Sequence, residues 1–193
     1  RKVLTYKYIL GLERKPFVKL SGLGTRINTP QTRDLISRLN LAAITVLNNK
    51  NDVLPLHPDL KEAAILNVGK PEEIEPFDRK MKKYTSFARF QLRKDLPEAE
   101  QQKLRDSLAA YRRVIVTVTE QRLAPYQSFF AKFAPESPVI YVFYTPAKSM
   151  LQIQRAVSAA EAVVLAHASR DDVQERVADL LFGKATADGR LSA

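Results

Sequence analysis

The sequence predicts an α/β fold: a three-layer doubly wound αβα sandwich around a mostly parallel sheet of about five to six strands. Three observations carry this expectation. Ala63 to Val68 (AAILNV), Val114 to Thr119 (VIVTVT) and Ala162 to Ala166 (AVVLA) are short, continuously apolar or β-branched runs, the pattern of strands covered on both faces. Helix-like segments alternate with them, so the order reads βαβαβαβαβα and calls for crossover connections. Asn28 to Leu56, NTPQTRDLISRLNLAAITVLNNKNDVLPL, packs an N-capped helix, a strand and a proline-marked exit into 29 residues.

Arg1 to Leu10 (RKVLTYKYIL) reads as a helix stopped by Gly11, and Leu12 to Ile27, with Pro16, Gly22 and Gly24, has no helical period. Residues 12–28 are therefore read as a linker, residues 1–11 as part of a preceding domain and residues 29–193 as the sandwich. Asn28 or Thr29 is placed to cap the next helix, with Pro30 at its first position, where a missing N–H costs nothing. Leu35, Ile36, Leu39, Ala42, Ala43 and Val46 give that helix an apolar face. Ile44 to Leu47 is a strand by β-branching, and Asn48 to Asp52 is turn chemistry before Val53-Leu54-Pro55-Leu56.

Beyond Ala63 to Val68 and its Gly69-Lys70-Pro71 punctuation, Glu72 to Tyr84 is helical, with acids in its first turn and bases in its last. Thr85 to Leu92 is a strand. Asp95 or Pro97 opens a polar helix through Ala110, with Leu104, Leu108 and Tyr111 on its apolar side. VIVTVT follows, then an aromatic-rich helix (Leu123 to Phe133), a strand (Val139 to Tyr144), a helix (Ser149 to Val157), AVVLA, and a helix from Asp171 to Phe182 closed by Gly183.

A chain of 193 residues with 45% hydrophobic content can build one ordinary core. No run of eighteen apolar residues occurs, so no membrane span is expected. The chain starts at Arg1 and stops at Leu191-Ser192-Ala193, which reads as a piece of a longer polypeptide. It has no cysteine, so disulfides and thiolate metal sites are excluded, while the compartment stays open.

The net charge of +10 invites a nucleic-acid reading. Arg79-Lys80, Lys82-Lys83 and Arg89 to Lys94, interleaved with Tyr84, Phe87 and Phe90, form the densest basic region. No RNP-like, helix-turn-helix or zinc signature accompanies it, and a solvated helix face followed by a half-buried strand accounts for it. Nucleic acid is not an expected partner.

Other chemistries lack a constellation. A single Gly69 follows AAILNV, with no G-x-G-x-x-G, and no G-x-x-x-x-G-K-[ST] occurs, which argues against a nucleotide cofactor. His57, beside Pro58, and His167, at a strand end, are the only histidines; neither has a second ligand type at helical spacing, so no metal site is assigned. Ser149 and Ser169 lie near strand ends but in no G-x-S-x-G elbow. Among carboxylates, Glu120 directly follows VIVTVT, and Asp171 and Asp172 follow AVVLA. Glu120 is the one catalytic candidate, weighed against a helix-start or rim acid.

Three pieces of the chain resemble the C-terminal α/β domain of glycoside hydrolase family 3. Tyr6-Lys7-Tyr8-Ile9-Leu10-Gly11-Leu12 resembles the last helix of that family's barrel entering its linker. Asn28 to Leu56 is similar in its N-T-P-x-x-R helix, A-A-I-T-V-L-x-N and V-L-P-L; Ala159 to Leu191 in its closing strand, a helix ending in L-F-G and a G-R-L exit. The resemblance implies a preceding (β/α)8-type catalytic barrel carrying an Asp nucleophile, to which residues 1–11 are the tail. Family β-glucosidases place an acid/base Glu in this second domain, a few residues beyond a strand. Here VIVTVT is followed by Glu120-Gln121-Arg122-Leu123-Ala124-Pro125-Tyr126-Gln127, with no further acid until Glu136.

The family's β-N-acetylglucosaminidases instead use a His on a barrel loop. The resemblance therefore implies a non-catalytic domain of a β-N-acetylhexosaminidase acting on terminal β-linked N-acetylglucosamine, as in cell-wall fragments, in a periplasmic or extracytoplasmic setting. Its partner is the barrel of the same polypeptide. A β-glucosidase or xylosidase domain using Glu120, and a freestanding basic nucleic-acid module, are the alternatives.

Overall fold

The computed structural model describes residues 2–14, 20–57, 63–133 and 138–191. Pro16, Pro58, Glu136, Ser192 and Ala193, which enter the sequence reading, lie outside the described residues. The chain divides into two units, Arg1–Ile36 and Ser37–Ala193.

The first unit holds α1 (Lys2–Ile9), a 3-10 turn at Leu12–Arg14, α2 (Leu23–Ile27) and the first half of α3 (Pro30–Ala42). Within the stretch read as linker, α2 is a helix of five residues that starts after Gly22 in the left-handed region. Thr29 is the cap of α3: its Oγ1 accepts the N–H of Thr32 at 3.1 Å. The apolar face expected of α3 is not covered, for α3 has no buried residue and Leu35, Ile36 and Leu39 are exposed. Tyr6, Ile9, Leu20 and Ile27 are exposed as well.

The second unit carries β1 (Thr45–Asn49), β2 (Ala63–Val68), α4 (Glu75–Met81), β3 (Phe87–Leu92), α5 (Glu98–Ala109), β4 (Arg113–Val118), α6 (Gln127–Lys132), β5 (Val139–Phe143), α7 (Gln154–Ala159), β6 (Ala162–Leu165) and α8 (Asp171–Leu181). They build one six-stranded sheet in the order β1-β6-β5-β4-β2-β3. Five strands are parallel, and β1 joins β6 antiparallel at the edge, with an irregularity between Val46 and Asn48. Taken alone, the parallel strands have the 2-1-3-4-5 order of a doubly wound sheet. The structure is thus the αβα sandwich that the strand pattern predicts.

Strand alternation assigns the two faces. Ile65, Ile115, Ile140 and Val142 pack with Phe77 and Met81 of α4 and with Val173 and Val177 of α8. Leu66, Val116, Tyr141 and Val163 pack on the other side with Leu108 of α5 and Phe129 and Phe130 of α6. Every residue of β2, β5 and β6 is buried, whereas edge strand β3 is mostly half-buried. Among the described residues no helix is long and apolar enough to cross a membrane.

Several helices are shorter than the periodicity predicts, and proline accounts for two of them. The helix expected from Glu72 begins as a 3-10 turn over Pro71–Ile74, and α4 starts at Glu75 with Pro76 in its first turn, where proline is tolerated. The aromatic-rich helix likewise opens with a 3-10 turn, Ala124–Tyr126, that contains Pro125. The expected helix from Ser149 is a 3-10 stretch, Ala147–Ile153, continued by α7. Gly183 closes α8 as expected, donating its N–H to Leu180 O at 3.0 Å.

Two glycines permit close backbone approaches. Gly189 of the G-R-L exit donates its N–H to Ile44 O at 3.1 Å, and a Cβ there would sit 2.6 Å from that oxygen. Gly69 has φ 142, and a Cβ there would meet Thr119 Oγ1 at 1.9 Å and the Glu120 backbone N at 3.2 Å. Gly69→Ala is expected to destabilise the chain by about 2 to 4 kcal/mol through backbone strain and overlap, read as a lower midpoint in urea unfolding.

Candidate functional site

Ligands of doubly wound sheets sit beyond the carboxyl ends of the strands, at the point where strand order reverses. That point lies between β2 and β4, and here the chain closes it. Beyond β4, Thr119 and Glu120 both donate their N–H groups to Val68 O, at 3.0 and 3.2 Å, with Gly69 pressed against Thr119. The open space lies beside it, a crevice of about 520 Å³. Thr119, Tyr144 and His167, at the ends of β4, β5 and β6, line it together with Glu72, Glu73 and Asp171.

A buried amide holds two walls of this crevice together. Gln174 of α8, 1% exposed, accepts the Phe77 N–H at 3.3 Å and donates to Glu73 O at 2.7 Å. It also reaches Ser169 Oγ, which donates in turn to Glu73 O. The His167 backbone has φ 62 and sits at the centre of a tight turn closed by Ala168 N–H on Ala166 O at 2.7 Å. A non-glycine residue in that region is strained.

Tyr144, one of the lining residues, is 3% exposed, and among the described residues its buried Oη has no hydrogen-bond partner. Burial, reinforced by the charge of Asp78, raises its pKa well above the ordinary tyrosine value, so the phenol stays neutral.

Glu120, the catalytic candidate of the sequence, is half-buried and turned toward its own loop, where its carboxylate accepts the Arg122 N–H at 3.0 Å. The loop is tied down by Gln152, which accepts the Leu123 N–H and donates to Gln121 O, both at 2.8 Å. Tyr126 is buried, and burial followed by the charges of Glu120 and Asp95 raises its pKa.

The remaining sequence candidates scatter. His57 is exposed in the loop after Leu56, away from the crevice lining, whereas His167 is part of it. Ser149 is fully buried with its Oγ unpartnered among the described residues, while Ser169 is bonded as described. Burial opposes ionisation of Asp172, yet hydrogen bonds from Ser37, Arg170 and the Val173 N–H hold its pKa below the ordinary value. Among the described residues no group of three His, Cys, Asp or Glu side chains is placed to hold a metal ion.

The basic region is largely engaged by acids. Arg79 pairs with Glu175, Lys80 with Asp179, Arg89 with Asp78 and Arg93 with Glu100. Its aromatics are engaged too: Tyr84 stacks on Phe182 and donates to Asp179, and Phe90 meets Tyr111 edge-on.

Asp78, Tyr144, Gln174 and Gln152 escaped the sequence reading. For Asp78 a signal existed: it occupies the apolar stripe of α4 between Ile74, Phe77 and Met81. It is 2% exposed, pairs through Oδ2 with Arg89 at 2.7 Å, and among the described residues leaves Oδ1 unpartnered. Burial raises its pKa, the charges of Arg89 and Lys82 pull it back, and the balance stands at about 6. The amides carried no such signal, because their bonds join residues about 30 to 100 positions apart in sequence.

No family model matches the chain, and no curated protein matches it. Solved structures do. One, described as a fungal multi-domain GH3 beta-N-acetylglucosaminidase with a GCN5-related glucosamine N-acetyltransferase region, aligns over 90% of this chain and 20% of its own at TM-score 0.64 and 15% identity. Beta-glucoside phosphorylase BglX aligns over 95% of this chain and 35% of its own at TM-score 0.64 and 16% identity. A beta-glucosidase from Listeria innocua, in complex with isofagomine, aligns over 94% and 30% at TM-score 0.59 and 14% identity. The chain thus spans about a fifth to a third of the length of these structures. At such identities the likeness is one of fold.

Two outcomes follow from the buried polar contacts. Gln152→Ala frees the loop after β4 and is expected to lower stability by about 1 to 3 kcal/mol, with faster amide exchange at Leu123. For Asp78 the folded-state pKa of about 6 exceeds the unfolded value of about 3.9, so the folded state binds more protons between them. The stability of the parent chain relative to Asp78→Asn should therefore fall by about 2 to 3 kcal/mol from pH 4 to pH 7. Denaturation series at several pH values measure this, and parallel curves would refute it.

Proposed function

We propose that this chain is the non-catalytic C-terminal domain of a family 3 glycoside hydrolase of the β-N-acetylhexosaminidase type. In this reading residues 1–11 are the tail of the last barrel helix, residues 12–28 the linker and residues 29–193 the sandwich. The partner is the catalytic barrel of the same polypeptide, and the substrate of the whole enzyme is a terminal β-linked N-acetylglucosamine. Support for the setting comes from the like-folded regions within much longer glycoside-processing chains. The exposed apolar side chains Tyr6, Ile9, Leu20, Ile27 and Leu35 suit a segment that packs against further protein.

The observation that carries the non-catalytic reading is the loop after β4. The resemblance puts an acid/base carboxylate there in β-glucosidases, but here Glu120 caps its own loop and Gln152 ties that loop down. A proton donor must reach a glycosidic oxygen, and a carboxylate engaged by the adjacent backbone is poorly placed to do so. A β-glucosidase-type parent using Glu120 is the second reading, supported by the like fold within the Listeria innocua beta-glucosidase.

Activity measurements separate these readings. The isolated chain should not hydrolyse a chromogenic N-acetyl-β-glucosaminide, whereas the full-length polypeptide should. Glu120→Gln in that polypeptide should leave the rate within about twofold, against the 10²- to 10⁴-fold loss of a removed general acid. Turnover by the isolated chain, or a loss of that size, would overturn the non-catalytic assignment.

A further inference from the structure

We propose that Asp78 and Arg89 form a pH-gated latch, in which the ionised carboxylate on α4 seats the Arg89 side chain of edge strand β3 and protonation of that carboxylate releases it. The first ground is geometry. Asp78 is 2% exposed and its Oδ2 accepts from Arg89 Nη2 at 2.7 Å, while among the described residues Oδ1 has no hydrogen-bond partner. A buried charge in that position leans on its one cation. Arg89 itself has a side chain 48% exposed, so it can swing into solvent without unpacking the strand that carries it.

The second ground is linkage. Burial pushes the Asp78 carboxyl toward its neutral form, the charge of Arg89 draws it back toward the ionised form, and the balance stands at about 6. Because seated Arg89 makes the proton harder to add, an added proton must make Arg89 easier to unseat by the same free energy. The unlatched state keeps the burial that favours protonation and loses only the cation that opposes it. What then remains between a neutral carboxyl and Arg89 is a hydrogen bond about half as strong as one to a carboxylate. Overall stability runs the other way, rising as the pH falls through this range, since a neutral carboxyl is less costly to bury.

The charges around Asp78 leave this role to Arg89. On its own element, Lys82 at the end of α4 also favours the ionised form and Glu75 opposes it, both after Arg89 in weight. From α8, Glu175 and Asp179 are engaged with Arg79 and Lys80. The end of β5 offers the phenol of Tyr144, which stays neutral, and β2 offers Ile65 and Asn67. Glu72 and Glu73, in the turn before α4, line the neighbouring crevice. Once released, Arg89 withdraws one wall of the cavity of about 130 Å³ that it lines with Ile65, Asn67, Ile74 and Asp78. It also sets an unpaired cation on the last strand of the sheet, where charge opposes pairing with another chain. This inference does not depend on the glycosidase reading, since both residues belong to the sandwich.

The test is a pH titration of the intact chain from about pH 4 to about pH 8, followed by NMR at the Asp78 carboxyl carbon and the Arg89 Nε–H. Both signals should move with one midpoint, near 6. In Asp78→Asn the Arg89 signal should stay flat over the same range. In Arg89→Gln the Asp78 midpoint should rise by about one pH unit, because the cation that opposed protonation is gone. An Arg89 signal that is flat in the parent chain, or that still moves in Asp78→Asn under the influence of another group such as a histidine, overturns the latch. So does an Asp78 midpoint that stays in place or falls in Arg89→Gln.

Discussion

Burial of the parallel sheet on both faces is the constraint on which the rest of this structure depends. A parallel pair cannot be closed by a tight turn, so each strand hands over to a crossover that must lie on one face or the other. With α4 and α8 on one face and α5, α6 and α7 on the other, no position in β2, β5 or β6 is left open to solvent. The apolar continuity of AAILNV, VIYVF and AVVL follows directly.

Polar groups are consequently pushed to the strand ends, where their placement is specific. Gln174 satisfies backbone groups of the α4 side from within α8, and Gln152 does the same for the loop after β4. Across the middle of the sheet's end, Thr117 donates to Asn67, and Asn67 donates to Gln91. The Gln174 bonds join two walls of the crevice, and among the described residues Tyr144 Oη is one of several buried polar atoms left without a hydrogen-bond partner, with Thr119 Oγ1 and Asp78 Oδ1.

Charge is distributed on the same principle. Bases near the end of α4 meet acids of α8, and Arg105 is sunk between Glu98 and the ring of Phe129. Such exposed or half-exposed pairs add little stability individually, and they engage Arg79, Lys80, Arg89 and Arg93 of the densest basic region. The acidic crevice contrasts with the net charge because both of its acidic walls come from helix starts, where carboxylates are favoured by the peptide dipoles.

Sequence alone determined the layers: apolar runs with helical segments between them admit few arrangements other than a doubly wound sandwich, since each strand needs cover on both sides. It also determined local features such as the cap at Asn28 or Thr29 and the close of α8 at Gly183, because caps depend on neighbours in the chain. Tertiary structure decided the antiparallel direction of Thr45–Asn49, the closure of the switch point by Gly69 and Thr119, and the retreat of Glu120 into its own loop. It also decided that Tyr144, read from sequence as one more strand residue, buries its ring against Phe77 with its hydroxyl unpartnered among the described residues. These outcomes depend on contacts between residues far apart along the chain, and local periodicity carries no information about which distant groups will meet.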